Sequence, residues 1–214
     1  MKKTIDTTAL NLETYNNPAT VADATADAEG YLPYVFDHPF FQEFNKTLPG
    51  KRILDLGAGP GILAQYYASQ GKEVTCLDFS DNMIEAAMKN CPDCQKFIVK
   101  NVLDLDPSDG EYDGIVAFHL VQFLDKKQLI KFFKQVASCL AKDGKFLVVF
   151  TNTCHPKSGV NTNSTGLQEY WNRWQLDDIV PLFSKSGLEL VKFEQPTFES
   201  GEQPFMFITQ KSIR

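Results

Sequence analysis

No stretch of this 214-residue chain approaches the roughly 20 consecutive apolar residues that a helix needs to cross a bilayer, which argues for a soluble protein with no membrane partner. The start, Met1-Lys2-Lys3, is followed by polar Asp6, Thr7, Thr8 and Asn11 instead of an apolar core, so no secretion signal is expected. Positive charge is scarce: 21 Lys and Arg against 27 Asp and Glu leave a net charge of -6, and no basic footprint for nucleic acid emerges. Cysteine is sparse and odd in number, five in all, which fits a reduced compartment better than a disulfide framework. The expected location is the cytoplasm. There is no internal repeat, and the one polar, low-complexity stretch is an expected loop at residues 157–166.

The apolar fraction, 43%, is ordinary for a single globular domain of this length. Residues 1–50 are irregular in pattern, with an alanine-rich stretch at Ala19–Ala28 and aromatics at Tyr31, Tyr34, Phe36, Phe40, Phe41 and Phe44. They read as one or two short helices and a loop, a mobile cover over the rest. From residue 51 to 214, apolar runs of strand length alternate with longer helical patterns, the signature of βαβ units around a parallel sheet. Strands are expected at Ile53–Leu56, Val74–Leu77, Phe97–Val99, Gly114–Phe118 and Phe146–Phe150, with two more near Leu188–Phe193 and Phe205–Thr209. Ser80 and Asp125 are placed to cap helices, and Gly71 and Gly187 to end them.

The densest signal is Asp55-Leu56-Gly57-Ala58-Gly59-Pro60-Gly61, a glycine turn between a strand and a helix. Glycine lets backbone approach a ligand closely, and the helix start offers N–H groups and a positive dipole end. Alone, such a turn is equally a plain tight turn. Asp78, at the end of the next strand, is where a carboxylate can accept from both hydroxyls of an adenosine ribose, or simply start a helix. The glycines run G-x-G-x-G rather than G-x-G-x-x-G, which weakens a dinucleotide reading.

Several further motifs follow in order: Asp113-Gly114-Ile115-Val116, His119-Leu120-Val121-Gln122-Phe123, Asp143-Gly144-Lys145, His155-Pro156, and Ser186-Gly187-Leu188 to Glu194-Gln195-Pro196. With the glycine turn and Asp78, this series resembles the class I S-adenosylmethionine-dependent methyltransferases, especially small-molecule enzymes that modify quinones and natural products. The resemblance covers most of residues 50–210. It implies a Rossmann-like α/β fold: a seven-stranded, mostly parallel sheet with an antiparallel last strand, helices on both faces and an N-terminal helical cover. It also implies S-adenosylmethionine as cofactor, a small-molecule methyl acceptor, and a role for each motif. Gly57, Ala58 and Gly59 would contact the methionine part, Asp78 the ribose, and Phe79 and Met83 the adenine. Asn101 stands where the family often has Asp at the adenine amino group, with Val102 and Leu103 beside it. Tyr15-Asn16-Asn17 is similar to an N-terminal tyrosine motif that closes over the methionine carboxylate. Asp55, Gly61 and Phe118 complete the expected cofactor set.

A sulfonium is already a strong methyl donor, so the protein mainly aligns a nucleophile and excludes water. A hydroxyl or amine acceptor benefits from a base, for which His119 and His155 are the candidates at strand ends, with His38 in the N-terminal segment. For each, a hydrogen-bonded structural or surface histidine is the commoner reading. Tyr31, Tyr34, Phe36, Tyr170, Trp171 and Trp174 either wall a flat substrate or pack the cover. Cys91-Pro92-Asp93-Cys94 follows a helix instead of opening one and has no second ligand pair, so neither redox nor metal chemistry is expected and the cysteines read as loop or core residues. Two rivals stand beside methyl transfer: an NAD(P)-dependent oxidoreductase on a similar sheet, and a non-catalytic adenosylmethionine-binding protein. The segment after the fourth expected strand lacks the Asn/Asp-Pro-Pro-Tyr type sequence of adenine and glutamine amino-group methylases.

Overall fold

The computed structural model describes residues 6–152, 157–198, 201 and 203–212. Three helices come first: α1 (Thr7–Tyr15), α2 (Pro18–Phe36) and α3 (Pro39–Lys46). Then alternate β1 (Arg52–Leu56), α4 (Ile62–Ser69), β2 (Glu73–Asp78), α5 (Asp81–Asn90), β3 (Lys96–Val99), β4 (Tyr112–Phe118), α6 (Lys126–Cys139) and β5 (Leu140–Phe150). A hairpin of β6 (Gly159–Thr162) and β7 (Gln168–Trp171) precedes α7 (Leu176–Lys185), β8 (Leu188–Glu194) and β9 (Phe205–Lys211).

Seven strands form one sheet in the order β3-β2-β1-β4-β5-β9-β8. Its last strand, β9, runs antiparallel to both neighbours, while the remaining pairings are parallel. The period of two in the apolar runs sorts side chains to the two faces. Phe146, Val148 and Phe150 of β5 join the core under α6 and α7, and Leu147 and Val149 join the core under α3 and α4. The expected caps are in place: Ser80 Oγ accepts the Met83 amide at 3.1 Å, and Asp125 with Gln128 closes a reciprocal capping box on α6.

Four expectations need correction. Residues 7–46 are three helices and not one or two short ones, because Asp6, Asn17 and His38 each place a side-chain acceptor on the next helix's free amides and Pro18 and Pro39 start two of them. His38 is therefore a helix cap, its Nδ1 accepting the Phe40 amide at 3.3 Å. Nor is this whole segment a loose cover, since Val35, Phe40, Phe41 and Phe44 are 0% exposed and pack with Ile53 and Val74. The expected polar loop at 157–166 carries β6 and pairs with β7 as an antiparallel hairpin. Cys91 and Cys94 are joined as a disulfide between α5 and β3 instead of standing as separate loop or core thiols, while Cys76 and Cys139 are free and buried.

Candidate functional site

The chain winds outward from β1 to β3, then returns to start β4 on the other side of β1. Strand ends diverge at such a switch point and leave a crevice beyond their carboxyl termini. Here the crevice is a cavity of about 720 Å³, floored by the ends of β1, β2 and β4 and roofed by α1, α2 and β7.

The glycine turn after β1 forms the floor. Gly57 and Gly59 have φ of 68° and 51°, left-handed values that suit glycine, and a Cβ on Gly57 would meet Leu120 Cδ1 at 3.1 Å. The turn's amides do not point at the cavity as free donors. Gly57 and Ala58 donate to the Leu77 carbonyl at 2.8 and 3.1 Å, and Gly59 donates to Asp78 Oδ2 at 3.0 Å. Gly61 does not itself line the cavity. Its amide is bonded to the Ala58 carbonyl at 3.0 Å, and a Cβ there would lie 2.8 Å from Ala87 Cα, so glycine at 61 lets α4 and α5 approach.

Two carboxylates lie in this floor, both nearly inaccessible to solvent. Asp78 accepts from the Gly59 amide and, at 2.9 Å, from the Ser80 amide. Burial raises its pKa and these amides pull it back. Asp55 Oδ2 has no hydrogen-bond partner. Burial, reinforced by the charge of Asp78, pushes the Asp55 carboxyl up to about 8. This buried, unsatisfied oxygen lining the cavity fits a cationic ligand, which would supply the missing donor.

Asp55, Gly57, Ala58, Gly59, Asp78, Phe79, Met83, Asn101, Val102, Leu103, Phe118, His119 and Tyr15 all line this one cavity. Asn101 Oδ1 accepts the Leu103 amide at 2.9 Å as the cap of a single helical turn, so that amide is engaged within the chain. Tyr15 donates its hydroxyl to Glu169 Oε2 at 3.0 Å, and its ring lies 5.2 Å from Phe123 and 6.4 Å from Phe79. Ser80 Oγ, while capping α5, also donates to the Tyr15 carbonyl at 2.8 Å and lies 2.7 Å from Asn16 Oδ1, which fastens α1 to the floor. His119 has φ of 49° and meets the Tyr31 ring edge-on at 5.1 Å. Burial lowers its pKa to about 4, so it is neutral near pH 7 and a weak proton store. His155 lies outside the described residues.

Sequence reasoning missed most of the roof. The Asn11 side chain bonds both backbone groups of Tyr170, accepting from its amide at 2.7 Å and donating to its carbonyl at 3.3 Å, and Thr14 Oγ1 donates to the Gln168 carbonyl at 2.5 Å. Asp23 and Asp27 line the cavity from α2, and Gln122 lines it from the turn after β4. The four-residue spacing of Asp23, Asp27 and Tyr31 is the one available sequence signal, since it sets them on one helix face. Among the described residues lining the cavity there are five carboxylate side chains and no Lys or Arg.

Residues 53–144 match a family described as a methyltransferase domain. The chain is 32% identical over 114 residues to a demethylmenaquinone methyltransferase of Renibacterium salmoninarum, covering 53% of this chain and 46% of that protein. It is 27% identical over 126 residues to a ubiquinone biosynthesis O-methyltransferase of Bordetella parapertussis, covering 56% and 50% respectively. It thus spans about half the length of these curated relatives. Among solved structures, the DhpI–SAH complex superposes with a TM-score of 0.71 at 18% identity, covering 99% of this chain and all of that one, a likeness of fold.

Proposed function

We propose that this chain, whose residues 53–144 match a methyltransferase domain, is a class I S-adenosylmethionine-dependent methyltransferase that transfers a methyl group from this cofactor to a small-molecule acceptor. The observation that carries the reading is electrostatic. The floor presents two buried carboxylates, one with an oxygen lacking any partner, and turn amides that are already bonded. A dinucleotide needs free amides or cations for its diphosphate, and this turn has spent its amides on Leu77 and Asp78. An S-adenosylmethionine-type ligand carries a sulfonium and an ammonium, for which carboxylates are the apt partners.

When bound, the cofactor supplies an electrophilic methyl. The chain's residues do the rest by position. In this reading Asp78 accepts from the ribose hydroxyls, Phe79 and Met83 flank the adenine, and Asp55 pairs with the cofactor's cationic end. Tyr15, fixed between Phe79, Phe123 and Glu169, closes that end from above and limits access of water. His119, neutral near pH 7, serves as a hydrogen-bonding wall for the acceptor more readily than as a base. The quinone methylation named for the two relatives supports a small-molecule acceptor here. The test is transfer from methyl-labelled cofactor to the small-molecule fraction of a cell extract, read as label in extractable products. Label confined to protein or nucleic acid, or bound cofactor without turnover, would contradict the proposal.

A further inference from the structure

The roof of the cavity holds charge that the cofactor leaves unanswered. S-adenosylmethionine is a monocation overall, and the floor already meets it with Asp55 and Asp78. Asp23 and Asp27 add two more carboxylates on the cavity face of α2, one helical turn apart, and Tyr31 one turn further on touches His119. Like charges at this spacing repel and weaken a helix. Asp23 accepts from Ser164 Oγ, whereas Asp27 has neither a hydrogen-bond nor an ion-pair partner among the described residues. Asp27 is exposed at the cavity rim and Asp23 half-buried; partial desolvation first, then the charge of Asp23, raises the Asp27 carboxyl above its ordinary range.

A second observation comes from another element of the lining, the turn after β4. Gln122 is 0% exposed and lines the cavity, yet neither its Nε2 nor its Oε1 has a hydrogen-bond partner. Its position is fixed through its backbone, whose carbonyl accepts the Asn172 amide at 2.6 Å. An amide buried without partners is costly in a folded chain. It is therefore the kind of group a ligand satisfies, with one donor and one acceptor on offer.

We propose that the methyl acceptor is a small molecule anchored by an ammonium group at the Asp23–Asp27 pair, with Gln122 hydrogen-bonding the polar end of its body. The methylated atom is one other than that nitrogen, which as an ammonium has no lone pair to give. This inference rests on the methyltransferase reading of the same cavity and names its acceptor class. The ammonium answers the paired carboxylates, as the missing Lys or Arg would have done, and Tyr31 and Trp171 offer the apolar walls between the two polar ends. Gln122 and the aspartates are positioning residues for the acceptor.

The experiment is calorimetry on the full chain saturated with S-adenosylhomocysteine, titrated with three probes of one size that carry a phenol hydroxyl for Gln122 at the far end: tyramine, the matching alcohol 4-(2-hydroxyethyl)phenol, and 4-hydroxyphenylacetate. Saturation with S-adenosylhomocysteine is measured first, so its failure counts against the methyltransferase reading and not against the amine. The amine should bind at least about tenfold more tightly than the alcohol, and 4-hydroxyphenylacetate weakest, because the cavity's charge is of one sign. The double variant Asp23→Asn, Asp27→Asn should remove the preference for the amine. Gln122→Leu should weaken acceptor binding by about tenfold while leaving the affinity for S-adenosylhomocysteine intact, as expected for one lost buried hydrogen bond. Circular dichroism checks that each variant is folded. Equal or tighter binding of the alcohol, no measurable amine binding, an amine preference that survives the double variant, or a Gln122→Leu protein that loses S-adenosylhomocysteine affinity would each overturn the proposal.

Discussion

The floor and the roof of the cavity are built in opposite ways. The floor is local: the turn between β1 and α4 and the end of β2 bring Gly57, Gly59 and Asp78 together, with β1 and β2 pairing in register from Arg52↔Glu73 to Leu56↔Leu77. The roof is assembled over distance, for α1 reaches β7 across more than 150 residues through Asn11 and Thr14. The floor's polar groups are fixed by backbone amides inside the sheet. The roof's are fixed by a few side-chain hydrogen bonds at the periphery. A ligand can therefore loosen or tighten the roof without disturbing the fold. The N-terminal segment itself divides along this line, with α3 in the core and α1 on the roof.

That division predicts unequal responses. Phe41→Ala in α3 should have the largest effect, a loss of about 3–5 kcal/mol in unfolding free energy by denaturant titration, because the ring is 0% exposed. A loss below 1 kcal/mol would return α3 to the mobile cover. Next comes Asp78→Ala, which should leave the circular dichroism spectrum unchanged and weaken S-adenosylhomocysteine binding by about 1.5–3 kcal/mol through loss of a charged acceptor. Unchanged affinity would place the ribose elsewhere. Asn11→Ala should cost about 1 kcal/mol of stability, far less than Phe41→Ala, while increasing proteolysis of α1 in the absence of ligand. Cleavage of α1 that ignores both the substitution and the ligand would erase the distinction between roof and floor.

A pH dependence set by Asp55 is expected as well. Its carboxyl is raised from 3.8 to about 8 in the folded chain, so the folded state holds a proton that the unfolded state has released. Stability from this group is fully present below pH 3.8 and declines as pH rises toward about 8. Binding of a cation favours the ionised form, so affinity for S-adenosylmethionine should rise toward pH 8 with proton release, and Asp55→Asn should flatten the curve. Calorimetry in buffers of different ionisation enthalpy reads the released proton. A flat profile in the native chain would show that Asp55 does not face the cationic end.

How legible each region was follows from the same contrast. Strand positions, the caps at Ser80 and Asp125 and the floor residues were readable because each depends on period, spacing or a neighbour within a few positions. Even there, the packing demand on Gly61 was not readable, since the Ala87 backbone that makes it comes from the next helix. The roof resisted reading because the partners of Asn11 and Thr14 are backbone groups of β7, and any strand has such groups. The 157–166 segment hid a strand for a related reason: Gly159–Thr162 has no apolar alternation, and its pairing with β7 defines it. Gln122 stood in the sequence only as part of the His119–Phe123 run, because what distinguishes it is the missing partner.

The central claim is that this cavity takes a cationic adenosine cofactor and not a dinucleotide. Calorimetric titration of the full chain with S-adenosylmethionine, S-adenosylhomocysteine and NAD tests it most directly. The account predicts micromolar dissociation constants for the first two, about -8 kcal/mol, and much weaker binding of NAD. Tighter binding of NAD than of S-adenosylmethionine would contradict it.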